Sequence, residues 1–76
     1  MRANVAETGD AIWYNIELLR ASRQLTREKI AEIAGVSLNT LKSRRDIPGN
    51  WTLGQLAHIA AYFGKTLDWL LAKQEI

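Results

Sequence analysis

The chain contains no cysteine, which excludes disulfides, thiolate metal sites and cysteine nucleophiles. It has a single histidine, His58, too few for the usual transition-metal site or a catalytic triad. No apolar run approaches the roughly 18–20 residues that span a bilayer. The start, Met-Arg-Ala-Asn-Val-Ala-Glu-Thr, lacks an apolar signal core, so a cytoplasmic protein with no membrane partner is expected. The carboxylates are scattered without acid–base spacing and there is no glycine-rich phosphate loop, so neither an enzyme nor a cofactor is expected. With 76 residues, 47% apolar and 24% charged, the chain has room for one small core. Without covalent staples that core needs well-packed helices or a partner subunit.

The formal charge is only +2, but it is unevenly spread. Between Arg20 and Arg45 stand seven basic residues against two acids, Glu28 and Glu32, and the remainder is net acidic. A basic middle with acidic flanks suits a polyanion, although a solvated helix surface gives the same count.

Residues 1–9 read as a flexible N-terminal arm and residues 10–76 as the single domain. Asp10 is a candidate N-cap for a first helix from Ala11 to about Arg23, with Ile12, Ile16 and Leu19 at helical spacing and Glu17 and Arg20 outside. Thr26 caps a second helix, Arg27–Ala34, ended by Gly35 as a left-handed cap. Ser37 caps a third, Leu38 to Arg45, in which Leu41 is the one clear core residue. Residues 46–50 form a loop around Pro48-Gly49. Thr52 and Gln55 match a capping box at the start of a fourth helix to Phe63, with Leu53, Leu56, Ala57, Ala60 and Phe63 as its apolar face. Thr66 caps a fifth, Leu67 to about Lys73. There is no strand-like alternation, so the fold class is all-α, five short helices.

The stretch Thr26 to Arg45 is a capped helix, a glycine turn and a second capped helix that is short and polar. Such a turn holds the second helix away from the body, where its side chains can enter a DNA major groove. The residues Leu25-Thr-Arg-Glu-Lys-Ile-Ala-Glu-Ile-Ala-Gly-Val-Ser, then Leu38-Asn-Thr-Leu41, resemble the lambda-repressor/Cro-type (XRE-like) helix-turn-helix proteins. They carry the family's apolar-Ala pair (Ile30, Ala31), turn glycine (Gly35), following apolar residue (Val36) and apolar residue in the recognition helix (Leu41). Thr52–Gly64 and Lys65–Leu71 are similar to its fourth and closing helices, so the resemblance covers roughly residues 12–71. Arg44 departs from the pattern, standing where the family usually has an apolar residue, and Arg45 replaces the usual acid.

The resemblance implies a five-helix lambda-repressor-like domain that binds double-stranded DNA. Base contacts fall to Ser37, Leu38, Asn39, Thr40, Lys42 and Ser43. Asparagine can pair bidentately with adenine, and Leu38 either meets a thymine methyl or packs inward. Backbone contacts fall to Thr26, Arg27, Arg44, Arg45, Asn50 and Trp51, with Trp51 open to a second role as a lid on the core. One recognition helix reads few base pairs, so a homodimer on a pseudo-palindromic operator is expected. Trp69, Leu70, Ala72 and Ile76 are candidates for its interface. The implied activity is that of a phage or prophage repressor that blocks a promoter, controlled by its concentration, by degradation or by an antirepressor protein. An antitoxin-like autoregulator, an excisionase-like architectural factor and a protein-interaction module are the alternatives.

Overall fold

The computed structural model describes residues 5–74. It contains five helices: α1 (Val5–Ser22), α2 (Arg27–Ala34), α3 (Leu38–Asp46), α4 (Leu53–Tyr62) and α5 (Leu67–Leu71). A 3-10 turn over Pro48–Asn50 links α3 to α4. Among the described residues there is no strand, and no helix is long and apolar enough to cross a membrane.

The first helix corrects the expected arm. It begins by Val5, so residues 5–9 are helical, and Asp10 lies inside the helix instead of capping it. The reason is local packing. Gly9 is buried, and a Cβ there would overlap Pro48 Cβ and Cγ. The missing side chain lets the 3-10 turn sit directly on α1. Residues 1–4, the rest of the expected arm, lie outside the described residues.

Helices α2–α5 start where their caps place them. Thr26, Ser37, Thr52 and Thr66 each accept from the backbone N–H three residues on, at 3.1 Å. Gln55 Oε1 also accepts from the Thr52 N–H at 3.2 Å, completing the capping box. Three helix ends share one geometry. After α2, Gly35 adopts φ 77°, its N–H donates to Glu32 O and the Val36 N–H to Ala31 O. Gly64 repeats this after α4, and Gln24 (φ 55°) after α1, where a side chain makes the left-handed backbone strained.

The core is one cluster. Ile12, Ile16 and Leu19 of α1 meet Ile30, Ala31 and Ala34 of α2, Leu41 of α3, Leu56, Ile59, Ala60 and Phe63 around α4, and Leu70 of α5. Each fully buried large side chain contributes about 1.5–3 kcal/mol. The inner face of α4 differs from the expected one. Residues 56, 59, 60 and 63 make the stripe, whereas Leu53 is 69% exposed and Ala57 is also exposed. Ile59 turns the buried stripe away from Ala57, and Leu53, although on the side of Ala60, stands in the first turn of α4 without cover.

One polar side chain sits within the core. Asn15 is wholly buried, and its Nδ2 donates to the carbonyls of Trp69 (3.2 Å), Leu70 (2.8 Å) and Ala72 (2.8 Å). These carbonyls lie at the end of α5 and its C-cap; that of Trp69 also accepts the Ala72 N–H at 3.3 Å. Gln74 Nε2 adds donations to Trp69 O (2.9 Å) and Ala72 O (3.1 Å). The Asn15 Oδ1 is buried with no partner.

Asn15→Leu keeps the branched shape, with bulkier methyls, and removes the donor, leaving the Leu70 carbonyl without its side-chain partner. The expected loss is about 2 kcal/mol, or about 8–16 °C in Tm. A thermal melt by circular dichroism reads it, and an unchanged Tm would remove Asn15 from its role as the α5 tether.

Candidate nucleic-acid interface

The α2–α3 unit is built by caps and one glycine. Thr26 starts α2, the left-handed Gly35 ends it, and Ser37 restarts the chain as α3. Leu41, 1% exposed, anchors α3 to the core. Leu38 is half-buried and packs against the same core, so its inward role is filled and only part of it stays at the surface. The rest of α3 is polar: Asn39, Lys42, Ser43 and Arg45 are exposed.

Three hydroxyls on this helix are already engaged. Ser37 Oγ donates to Thr40 Oγ1 at 2.9 Å while accepting from the Thr40 N–H. Ser43 Oγ donates to the Thr40 carbonyl at 2.7 Å. Hydroxyls keep acceptor capacity in such bonds, but they are less open to new partners than Asn39 and Lys42. Asn39 therefore offers the bidentate amide of the set, at the first turn of the helix.

A second feature lies beside α3. Trp13 of α1, Arg27 of α2, and Lys42, Arg45 and Asp46 of α3 line a cleft of about 240 Å³. The Arg45 guanidinium sits over the Trp13 ring, 5.8 Å from its centroid. Glu17 holds Arg27, accepting Nε at 3.0 Å on Oε1 and Nη2 at 3.3 Å on Oε2. The same carboxylate takes Arg20 Nε (3.1 Å) and Nη2 (2.7 Å), and Arg20 Nη1 donates to Leu25 O. Partial burial pushes the Glu17 carboxyl up, but the hydrogen bonds and charges of Arg20 and Arg27 outweigh it and hold the group below its ordinary value. The Glu17 hydrogen bond and charge raise Arg27 in turn. Three cations thus share one cleft, two of them fixed from α1, with Asp46 as the opposing charge. A larger groove of about 710 Å³ lies between α1 and the segment after α5, where Tyr14 and Leu71 sit under a mixed rim of Glu7, Asp10 and Lys73; it gathers no such cluster of cations.

The remaining expected backbone residues are spread out. Thr26 caps α2. Asn50 is exposed in the 3-10 turn, and Trp51 is half-buried against the core, the lid role. Arg44 is half-buried rather than fully presented to solvent, and its Nε is enclosed without a partner. The helix is not shortened by it, since α3 continues to Asp46. Residues missed from sequence are Trp13, Glu17 and Asp46. Only the spacing of Trp13 and Glu17, four apart on one helix side, signalled that they act together.

The expected dimer patch needs correction. Leu70 is fully buried in the chain's own core and cannot reach a partner. Trp69 is half-buried, with Lys65 Nζ 5.0 Å above its ring. Ala72 is exposed, and Ile76 lies outside the described residues. Comparison with protein-family models, curated proteins and solved structures finds no match for this chain.

Arg44→Leu removes a buried donor that has no partner, so it should raise stability by about 1 kcal/mol in urea unfolding; a loss would mean that the guanidinium is satisfied. Glu17 carries a second expectation. A depressed carboxylate stabilises the fold above its unfolded pKa, and this contribution fades as pH falls through the folded value. Glu17→Gln should therefore lower stability at neutral pH, and the gap from the parent should close in strong acid. Paired melts across that range check this, and a pH-independent gap would contradict it.

Proposed function

We propose that this chain is a lambda-repressor/Cro-type DNA-binding regulator, a phage-type repressor that binds a pseudo-palindromic operator as a dimer. The observation that carries the reading is the polar face of α3. A nine-residue helix, anchored by Leu41 and set off by a left-handed glycine, turns Asn39, Lys42 and Ser43 to solvent. A domain this small has little surface to spare, and a helix so poor in apolar residues adds little to its core.

The roles follow from the chemistry of each group. Asn39 reads a base edge, most naturally adenine. Ser37, Thr40 and Ser43 add adaptable hydroxyl contacts, and Leu38 presents its outer edge. Arg27, Lys42 and Arg45 straddle a backbone phosphate at the Trp13 cleft, fixing register without reading sequence. The α2 N-terminus adds free N–H groups beside the Thr26 cap. Occupying a promoter needs no catalytic step and no cofactor. The cytoplasm is where such a protein meets its DNA.

The test is fluorescence anisotropy with the DNA flanking the chain's own gene and with a random-sequence duplex, at two salt concentrations. Specific binding should exceed non-specific by at least roughly 10³-fold and weaken steeply with salt. Asn39→Ala should lose about 1–3 kcal/mol of discrimination. Arg45→Ala should weaken both duplexes alike and lower the salt slope by about 1. No binding to either duplex at low salt would overturn the reading.

A further inference from the structure

We propose that the cleft between α1, α2 and α3 is a site for a free phosphomonoester, the doubly charged terminal phosphate of a small metabolite such as a nucleoside monophosphate. Its walls come from Trp13, Arg27, Lys42, Arg45 and Asp46. Three cations against one carboxylate leave it two positive charges. The Glu17 carboxylate behind Arg27 does not alter that balance, because Arg20 answers it at 2.7 Å. Two positive charges match a phosphomonoester above its second pKa of about 6. A backbone phosphodiester carries a single negative charge.

The donors are free and held in place. Among the described residues Lys42 makes no hydrogen bond or ion pair, and none of the Arg45 N–H donors is bonded. Trp13 fixes the Arg45 guanidinium instead, through the charge–ring contact at 5.8 Å. Glu17 takes Nε and Nη2 of Arg27 and leaves its Nη1. Two of the three cations are therefore already oriented, which lowers the ordering cost of binding. Size points to a head group. At about 240 Å³ the cleft is smaller than the roughly 300 Å³ at which ordinary small-molecule pockets begin. A terminal phosphate enters such a recess end-on and leaves its sugar at the mouth. A diester, with a sugar on each side, lies across the mouth and cannot enter. An anion inside the cleft withdraws Arg27, Lys42 and Arg45 from the DNA backbone and so releases the operator. That consequence rests on the DNA reading; the anion site does not.

The test is an NMR titration of the full chain at about pH 8, where the phosphomonoester is a dianion. The ligands are AMP, inorganic phosphate, adenosine and dimethyl phosphate, at matched ionic strength. The three Trp indole N–H signals report position, and Trp13→Phe assigns that of Trp13. AMP and phosphate should shift it saturably with a Kd of about 1 mM or tighter, while adenosine and dimethyl phosphate leave it in place up to about 10 mM. Equal affinity for AMP and phosphate would assign recognition to the head group alone, and tighter AMP would add contacts from the nucleoside. Lys42→Gln and Arg45→Gln, each with an unchanged melting temperature, should weaken AMP by roughly tenfold or more, and Asp46→Asn should tighten it. Arg23→Gln, which removes a cation over the Tyr62 and Phe63 rings, should leave it unchanged. No saturable shift at Trp13, equal binding of dimethyl phosphate, or an equal loss in Arg23→Gln overturns the proposal. The duplex titration fails or succeeds independently. A chain that takes AMP but ignores DNA would overturn the DNA reading alone, and one that binds DNA but neither AMP nor phosphate would overturn the anion site alone.

Discussion

The amide of Asn15 governs how this small fold closes. The α5 helix is only five residues long, too short to stand by itself. Its end carbonyls turn towards α1, that of Leu70 within the core. One buried NH₂ group serves three of them and so joins the middle of α1 to the end of α5. Leu70 can then lie at 0% exposure and complete the apolar cluster that Leu41 uses to anchor α3. The orientation of the polar helix therefore depends, through two layers of packing, on an amide remote from it. The idle Oδ1 is the cost of this arrangement, because an amide cannot face carbonyls with its nitrogen and also satisfy its oxygen in an apolar wall.

Much of the fold is legible in the sequence. Thr26, Gly35, Ser37, Thr52 and Thr66 announce five helix boundaries because capping is a local event between residues three to five apart. The start of α1 is not legible. Gly9 argues against a helix by propensity, and Asp10 looks like a cap. The contact that favours the helix is with Pro48, far along the chain, and no local rule contains it. Asn15 is hidden for a similar reason: beside Ile12, Ile16 and Leu19 a polar residue reads as a break in the stripe. Leu53 misleads in the opposite direction, since an apolar residue at a helix start suggests core whether or not it is covered.

The candidate site divides in the same way. Its α3 residues follow from the turn and the caps. The part supplied by α1 does not, because Trp13 and Glu17 act by holding Arg45 and Arg27, and those pairings are tertiary. The outcome is a division of labour: α3 carries the exposed polar side chains, while α1 steadies two of the cations beside them. Arg44 stands between the two, partly enclosed by the fold with one donor unmatched.

The Asn15–Ala72 bond joins residues 57 positions apart. During synthesis the amino-terminal segment emerges first, yet α1 cannot bury its asparagine until residue 72 has followed. Until then the apolar side of α1 has no α5 to cover it, and the amide remains hydrated. Closure of the fold therefore waits on a contact of high sequence separation, of the kind that slows folding.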